Sequence, residues 1–445
     1  MLRLSAPAAN VDNRFCDRLS RRRFIEIGSL GVLGLSLPDL LRAKMEGRDT
    51  GKSVILVWQH GGPSQLDTFD MKPDQQLEVR GPFKSIPTSL PGLRICEKLP
   101  YQARVMDKCT VIRSFSHHIA GHFIASHYLL TGYPNRGSSR TPMNPSMGSV
   151  TSSLLGPKDQ GVPAYVNMND GGFGFHGASF LGVTHNPFRT GNYSYGNEGV
   201  QLPSARDSSF NLVDGLSETR LMDRVALLGQ FDTLRRRLEH QEEFRSVDAM
   251  NRQALDIIVS GRARKAFDIS EEDPRVREHY GTGWGEQALL ARRLIQAGVR
   301  FVTLNTGYWD DHGNILGALN SKLPRHDRAV GVLIQDLHDR GMLEDTLVVT
   351  AGEFGRTPKI NKNKGRDHWP QAQSILFAGG GYRHGQVIGA TNSKAEHPTS
   401  RPVGPGDFQA IIYNALGLAL DDTVTNLTGR PIHLAPGGKV PHEMA

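Results

Sequence analysis

The sequence predicts an α/β protein built on a buried, mostly parallel sheet, and three observations carry that prediction. Short apolar runs recur along the chain at Ser53–Trp58, Thr110–Ser114, Arg300–Asn305, Thr346–Thr350 and Ser374–Ala378. They are continuous in hydrophobicity rather than alternating, as strands covered on both faces are. Segments of helical periodicity fill several of the intervals, which is what parallel crossover connections require. Finally, four strand ends are followed by clusters of imidazoles and carboxylates, and open parallel sheets bind ligands beyond the carboxyl ends of their strands.

The elements follow in order. Residues 1–50 read as a leader, in which Ser20-Arg21-Arg22-Arg23-Phe24-Ile25 precedes the weakly apolar, glycine-rich stretch Ile27–Leu35. Paired arginines ahead of a mild apolar region are the pattern exported, already folded, by the twin-arginine translocase, which predicts a periplasmic or extracellular location. The stretch is too short and too rich in glycine to span a membrane well. No Ala-x-Ala site follows it, so cleavage and retention as an anchor both stay open.

The main domain is expected over 51–435. Its first strand, Ser53–Trp58, ends in the glycine turn Gln59-His60-Gly61-Gly62-Pro63. The strand at 110–114 opens onto a histidine-rich loop and a helix over 122–130. Residues 133–215 are rich in Gly, Asn, Pro and Ser and read as a loop-dominated insertion with short strands. Helical periodicity resumes over 216–244, where Leu221, Val225, Leu228, Phe231 and Leu234 keep three- and four-residue spacing. Further helices are expected over 249–267, 286–297 and 326–340, the last closed by Gly341.

Composition excludes some functions. The net charge of +7 invites a nucleic-acid reading, but the first 52 residues, with ten Lys/Arg against six acids, supply four of those charges. The rest carries no basic stripe interleaved with aromatics, so nucleic acid is not an expected partner. Three cysteines, none in a C-x-x-C pair, exclude a thiolate zinc site; Cys96 and Cys109 form no disulfide framework, although pairing in an oxidising compartment stays open.

The strand ends carry the chemistry. His60, Ser64, Asp67 and Asp70 follow the first strand, and His117, His118, His122 and His127 follow the second. Asp310, Asp311 and His312 follow the strand at 300–305, and Glu353, Arg356 and Gly365-Arg366-Asp367-His368-Trp369 follow that at 346–350. Mixed imidazole and carboxylate donors suit zinc, manganese or iron, whereas an all-oxygen set suits magnesium or calcium. Asp311 reads as a turn residue, Asp367 as the carboxylate orienting His368, and Arg356 as a fork for a sulfate or phosphate group.

Several segments together resemble one family. They are Gly61-Gly62-Pro63-Ser64 with Asp67-Thr68-Phe69-Asp70, Ala291-Arg292-Arg293-Leu294, Trp309-Asp310-Asp311-His312, Gly352-Glu353-Phe354-Gly355-Arg356-Thr357-Pro358 and Gly365-Arg366-Asp367-His368-Trp369. On these the chain resembles the exported, sulfatase-like family known as domain of unknown function 1501. The resemblance implies an alkaline-phosphatase and sulfatase-like three-layer sandwich. Leu129-Leu130-Thr131-Gly132 is similar to the end of the sulfatase signature, and counting back places His122 where the formylglycine nucleophile of true sulfatases stands. The sulfatase Asp-His metal pair corresponds to Glu353-Phe354 here, and the Asp-Asp ending the first strand to Gln59-His60. A formylglycine sulfatase is therefore not expected.

The expectation is a metal-dependent hydrolase of sulfate or phosphate esters, acting on an anionic substrate such as a sulfated or phosphorylated glycan. His60, Asp310, His312, Glu353 and His368 are the expected ligands of a divalent metal (Zn, Mn, Ca or Mg). His122 is nucleophile or further ligand, and Arg356 is the anion clamp. The alternative is a non-catalytic binding or structural protein that keeps the fold. The sequence leaves the oligomeric state open.

Overall fold

The computed structural model describes residues 49–135, 142–170, 176–192, 257 and 260–445. The leader, the helix expected over 216–244 and most of that over 249–267 lie outside these residues. Among the described residues, no helix is long and apolar enough to cross a membrane.

Eight strands form the central sheet: β1 (Ser53–Trp58), β2 (Cys109–Phe115), β3 (Tyr165–Asp170), β4 (Phe188–Asn192), β5 (Phe301–Asn305), β6 (Thr346–Ala351), β7 (Gln373–Gly379) and β8 (Gln386–Ile388). Their spatial order is β8-β2-β7-β6-β1-β5-β3-β4. β1 lies at the centre, parallel to β5 and β6, and β7 alone runs against its neighbours β2 and β6. Every residue of β1, β5 and β6 is buried, as their largely apolar sequences favour.

Helices cover both faces. On one face Ile55, Val57, Val302 and Leu304 pack against α3 (Trp284–Gln296) and α4 (Ile315–Asp339). On the other, Phe408 of α5 (Pro405–Ala415) meets Phe115 and Phe377, with ring centres 6.2 and 6.0 Å away. There α2 (Met147–Leu154) approaches so closely that a Cβ on Gly148 would lie 2.5 Å from the Tyr165 ring. Each large aliphatic side chain buried this way contributes about 1.5–3 kcal/mol. The three layers match the α/β architecture read from the sequence.

Two of the short strands expected within 133–215, β3 and β4, join the central sheet, β3 pairing in parallel with β5 and β4 in parallel with β3 at the sheet edge. Helix α4 begins at Ile315, about three turns before the expected start, and runs through Pro324. Asn314 caps it by accepting from the Gly317 amide at 3.3 Å, and packing on the sheet outweighs the lost proline donor. Cys96 and Cys109 are free, buried thiols, and Cys109 donates to the Val105 carbonyl at 3.2 Å.

His326 on α4 is fully enclosed, edge-on to Trp309 at 5.4 Å, and neither ring nitrogen has a hydrogen-bond partner among the described residues. Burial pushes its pKa down from 6.5 to about 3. The folded state therefore refuses a proton that the unfolded chain accepts. Stability is full above pH 6.5 and is lost as pH falls toward 3, by up to about 1.4 kcal/mol per pH unit. Urea titrations of wild type and His326→Leu across this range should show a shallower acid limb for the variant; parallel curves would refute the assignment.

Candidate metal centre

The site assembles where β1, β2, β5 and β6 end. After β1, the chain turns through Gly61 and Gly62, both at positive φ. A Cβ on Gly61 would sit 2.7 Å from the backbone nitrogens of Trp309 and Asp310, so only glycine lets the loop after β5 close over it. Trp309 donates its amide to the His60 carbonyl at 2.9 Å, which sets Asp310 beside that turn. After β6, Glu353 leads into a two-residue antiparallel ladder pairing Gly355–Arg356 with Trp369–His368. After β2, helix α1 (His122–Thr131) begins with His122.

Asp310 is the hub. Its Oδ1 lies 2.6 Å from Arg356 Nη2, 2.9 Å from His312 Nε2 and 3.0 Å from His368 Nε2. Its Oδ2 accepts from the Tyr308 hydroxyl at 3.0 Å and lies 3.3 Å from His122 Nε2. Each imidazole is fixed from its other nitrogen. His122 Nδ1 is 2.6 Å from Glu353 Oε1, His312 Nδ1 is 2.7 Å from Asp367 Oδ1, and His368 Nδ1 is 2.8 Å from the Ala120 carbonyl oxygen. All three partners accept, so in each ring Nδ1 carries the proton and Nε2 faces Asp310.

That arrangement has an electrostatic consequence. His312 Nε2 and His368 Nε2 stand 3.0 Å apart, both against one carboxylate oxygen. Three electron-pair donors meeting across such distances repel unless a proton or a cation lies among them. Tetrahedral Zn–N bonds of about 2.0–2.1 Å put ligand atoms about 3.3 Å apart, close to the spacings here. One ligand atom each from His122, Asp310 and His368 falls within a 4.8 Å cluster. Donor type and spacing therefore fit a divalent cation, and the outer partners are those that ligating histidines commonly keep.

The charges respond to this packing. Burial raises the Asp310 pKa, but the close contacts with His122 and His368 and the Arg356 guanidinium outweigh it and hold the carboxyl well below the usual range. For His122, burial opposes protonation, yet contacts with Asp310 and Glu353 prevail and raise its pKa. His60 is the opposite case: burial first, then repulsion from His122 and His176, lowers it to about 3.

Over residues 51–444 the sequence matches the family described as Protein of unknown function (DUF1501). The chain belongs to the DUF1501 family. No curated protein matches it. Among solved structures it is similar to Ps i-CgsB in complex with k-i-k-neocarrahexaose, with 10% identity and a TM-score of 0.39 over 83% of this chain and 72% of that one. It is similar to the PsFucS1 sulfatase from Pseudoalteromonas sp., with 12% identity and a TM-score of 0.38 over 86% and 71% of the two chains. For the C-terminal periplasmic domain of EcEptC from Escherichia coli, in complex with Zn, identity is 9% and the TM-score 0.38, over 83% and 85%.

Of the residues singled out in this DUF1501 sequence, His122, Asp310, His312 and His368 come together. Glu353 stands one step behind them: fully buried, it accepts from the Gly61 amide at 2.8 Å and from His122. His60 is buried beside Tyr308, with ring centres 5.7 Å apart. The Arg356 guanidinium does not face the cleft as a clamp would. It is buried and donates to the Gly61, Gly62 and Arg366 carbonyls and to Asp310. Asp367 orients His312 and not its neighbour His368, because successive side chains in an extended segment point apart. Asp311 is a structural partner, ion-paired with Lys322 at 2.5 Å. Sequence reading missed Tyr308 and the Phe354 ring, which lies 5.0 Å from His122 and 4.6 Å from His368. Only their adjacency to Asp310 and Glu353 could have signalled them.

Replacing Asp310 by Asn should leave Arg356 buried without its counter-charge, a loss of about 3 kcal/mol. His312→Gln, on a side chain 44% exposed, should lose less than about 1 kcal/mol. Urea unfolding of both metal-free variants checks the contrast; equal losses would remove Asp310 from the centre of the network.

Proposed function

We propose that this protein is a metal-dependent hydrolase of sulfate or phosphate esters, exported by its twin-arginine leader and acting outside the cytoplasm. The observation that carries the reading is the convergence of three Nε2 atoms on the Asp310 carboxylate, each ring locked from its Nδ1 side. His122, Asp310 and His368 hold the cation, with His312 as the outermost ligand. A divalent ion there supplies Lewis acidity toward an oxygen of an anionic ester. Glu353 and Asp367 keep the rings of His122 and His312 in register, and Arg356 keeps Asp310 ionised. Phe354 closes the inner wall against water. The ester enters from the side of His312 and Asp367, the most exposed groups of the cluster, at 44% and 53%.

Elemental analysis of the purified full chain tests this, after loading with zinc, manganese, calcium and magnesium in turn. About one tightly held ion per chain is expected. It should disappear in Asp310→Ala and His368→Ala, and with it any hydrolysis in a screen of aryl sulfates and phosphates. A wild type that holds none of the four metals would overturn the reading and favour a binding or structural protein on the same fold.

A further inference from the structure

The loop Lys359–Gly365 forms one rim of the site and carries Lys359, Lys362 and Lys364 within six residues. Exposed lysines usually do no more than keep a surface hydrated, but this loop is built differently. Asn361 organises it from within: Oδ1 accepts from the Asn363 and Gly365 amides at 2.9 and 3.0 Å. The same side chain ties the loop to the site, its Nδ2 donating to the His312 carbonyl and to Asp367 Oδ1, both at 3.1 Å. A Cβ on Gly365 would fall 2.0 Å from the His312 carbonyl carbon, so the loop lies directly against that ligand's backbone.

Lys364 is held at φ +61, a region that side chains with a Cβ enter at some energetic expense. Its amide donates to the Asn361 carbonyl at 3.0 Å and its carbonyl accepts from Ile315 at 2.8 Å, so both backbone groups fix it there. Lys359 pairs with Glu78 at 3.4 Å. Lys362 and Lys364 are exposed and make no ion pair among the described residues. Two lysines that make no ion pair among the described residues are thus carried on a loop whose backbone is tied to that of His312 and to Asp367.

Resting on the function proposed above, we infer that Lys362 and Lys364 form a rim subsite for further anionic groups of the substrate, which is accordingly a chain bearing repeated sulfate or phosphate groups. Ammonium ions suit this task, since they meet sulfate or phosphate as point charges without demanding one geometry. Contacts of this kind weaken as salt rises.

The test is binding of labelled dextran sulfate, labelled polyphosphate and labelled uncharged dextran to the metal-loaded full chain. Wild type is compared with the double variant Lys362→Gln/Lys364→Gln and, as a control for general charge, with Lys265→Gln on a distant exposed lysine. Wild type should bind one or both polyanions and not dextran, and whichever polyanion binds tells sulfate from phosphate. The double variant should bind about tenfold more weakly at low salt, with the difference closing as salt rises, and the control should match wild type. Absence of polyanion binding, a double variant as tight as wild type, or an equal loss in the control would each overturn the subsite. Metal content of the same samples separates the two readings. Lysine-dependent binding by a metal-free protein defeats the hydrolase and keeps the subsite, whereas retained metal with lysine-independent binding does the reverse.

Discussion

The Asp310–Arg356 pair is the interaction on which the rest of the site depends. Arg356 reaches the Gly61 and Gly62 carbonyls after β1, the Arg366 carbonyl beyond the ladder and the Asp310 carboxylate after β5. One guanidinium thus ties together the chain ends of three adjacent strands. Burying such a charge costs several kcal/mol, offset only if nearly every donor finds an acceptor. The geometry that satisfies it leaves little freedom for the loop that carries Asp310. The same requirement explains the glycines, since a side chain at 61 would push that loop away and separate the two charges.

Three imidazoles then gather on Asp310 from segments far apart in the chain, and each is oriented by a group from another segment again. Glu353 after β6 holds His122 on α1, Asp367 holds His312 after β5, and the Ala120 carbonyl after β2 holds His368. Glu353 is itself anchored: His117 accepts the Ile119 amide on Nδ1, so its Nε2 must donate to the Glu353 carbonyl at 2.7 Å. Burial lowers the His117 pKa to about 4, which keeps that ring neutral and this hydrogen-bond direction fixed. Imidazole orientation here is a property of the tertiary structure, and such preorganisation is what a metal or an anion needs from a protein.

This arrangement accounts for what could and could not be read beforehand. Ser53–Trp58 and Thr346–Thr350 were legible as buried strands because both faces are covered and apolar residues run without alternation between their polar ends. Tyr165–Asp170 was not, since Asn167, Asn169 and Asp170 resemble loop residues; Asn167 sits in the sheet because it accepts from the Asn305 side chain at 2.8 Å. Pro324 disguised the first turns of α4. At the site, strand ends revealed which residue types gather, because topology fixes where loops converge. Partnerships stayed hidden, since whether Asp367 serves His312 or His368 depends on the direction of a side chain in a two-residue ladder. The partners of Arg356, read as an anion fork, stayed hidden for a related reason: a Gly-Arg-Thr-Pro turn says nothing of the Gly61, Gly62 and Arg366 carbonyls inside.

The cluster is also polarised in its surroundings. On its inner side stand the fully buried Phe354 ring, Trp309 and His60, the last held neutral by burial. On its outer side His312 and Asp367 meet water, and the lysine-bearing loop continues the rim. An opposite charge placed among the inner groups is felt strongly, because little solvent screens it. A charge on the rim is felt over a wider area and more weakly as salt rises, because solvent and counterions screen it. The two halves therefore suit different tasks, tight fixation of one charged centre within and looser recognition of an extended anion without. Asp310 joins them, since its Oδ1 touches both the buried Arg356 and the exposed His312.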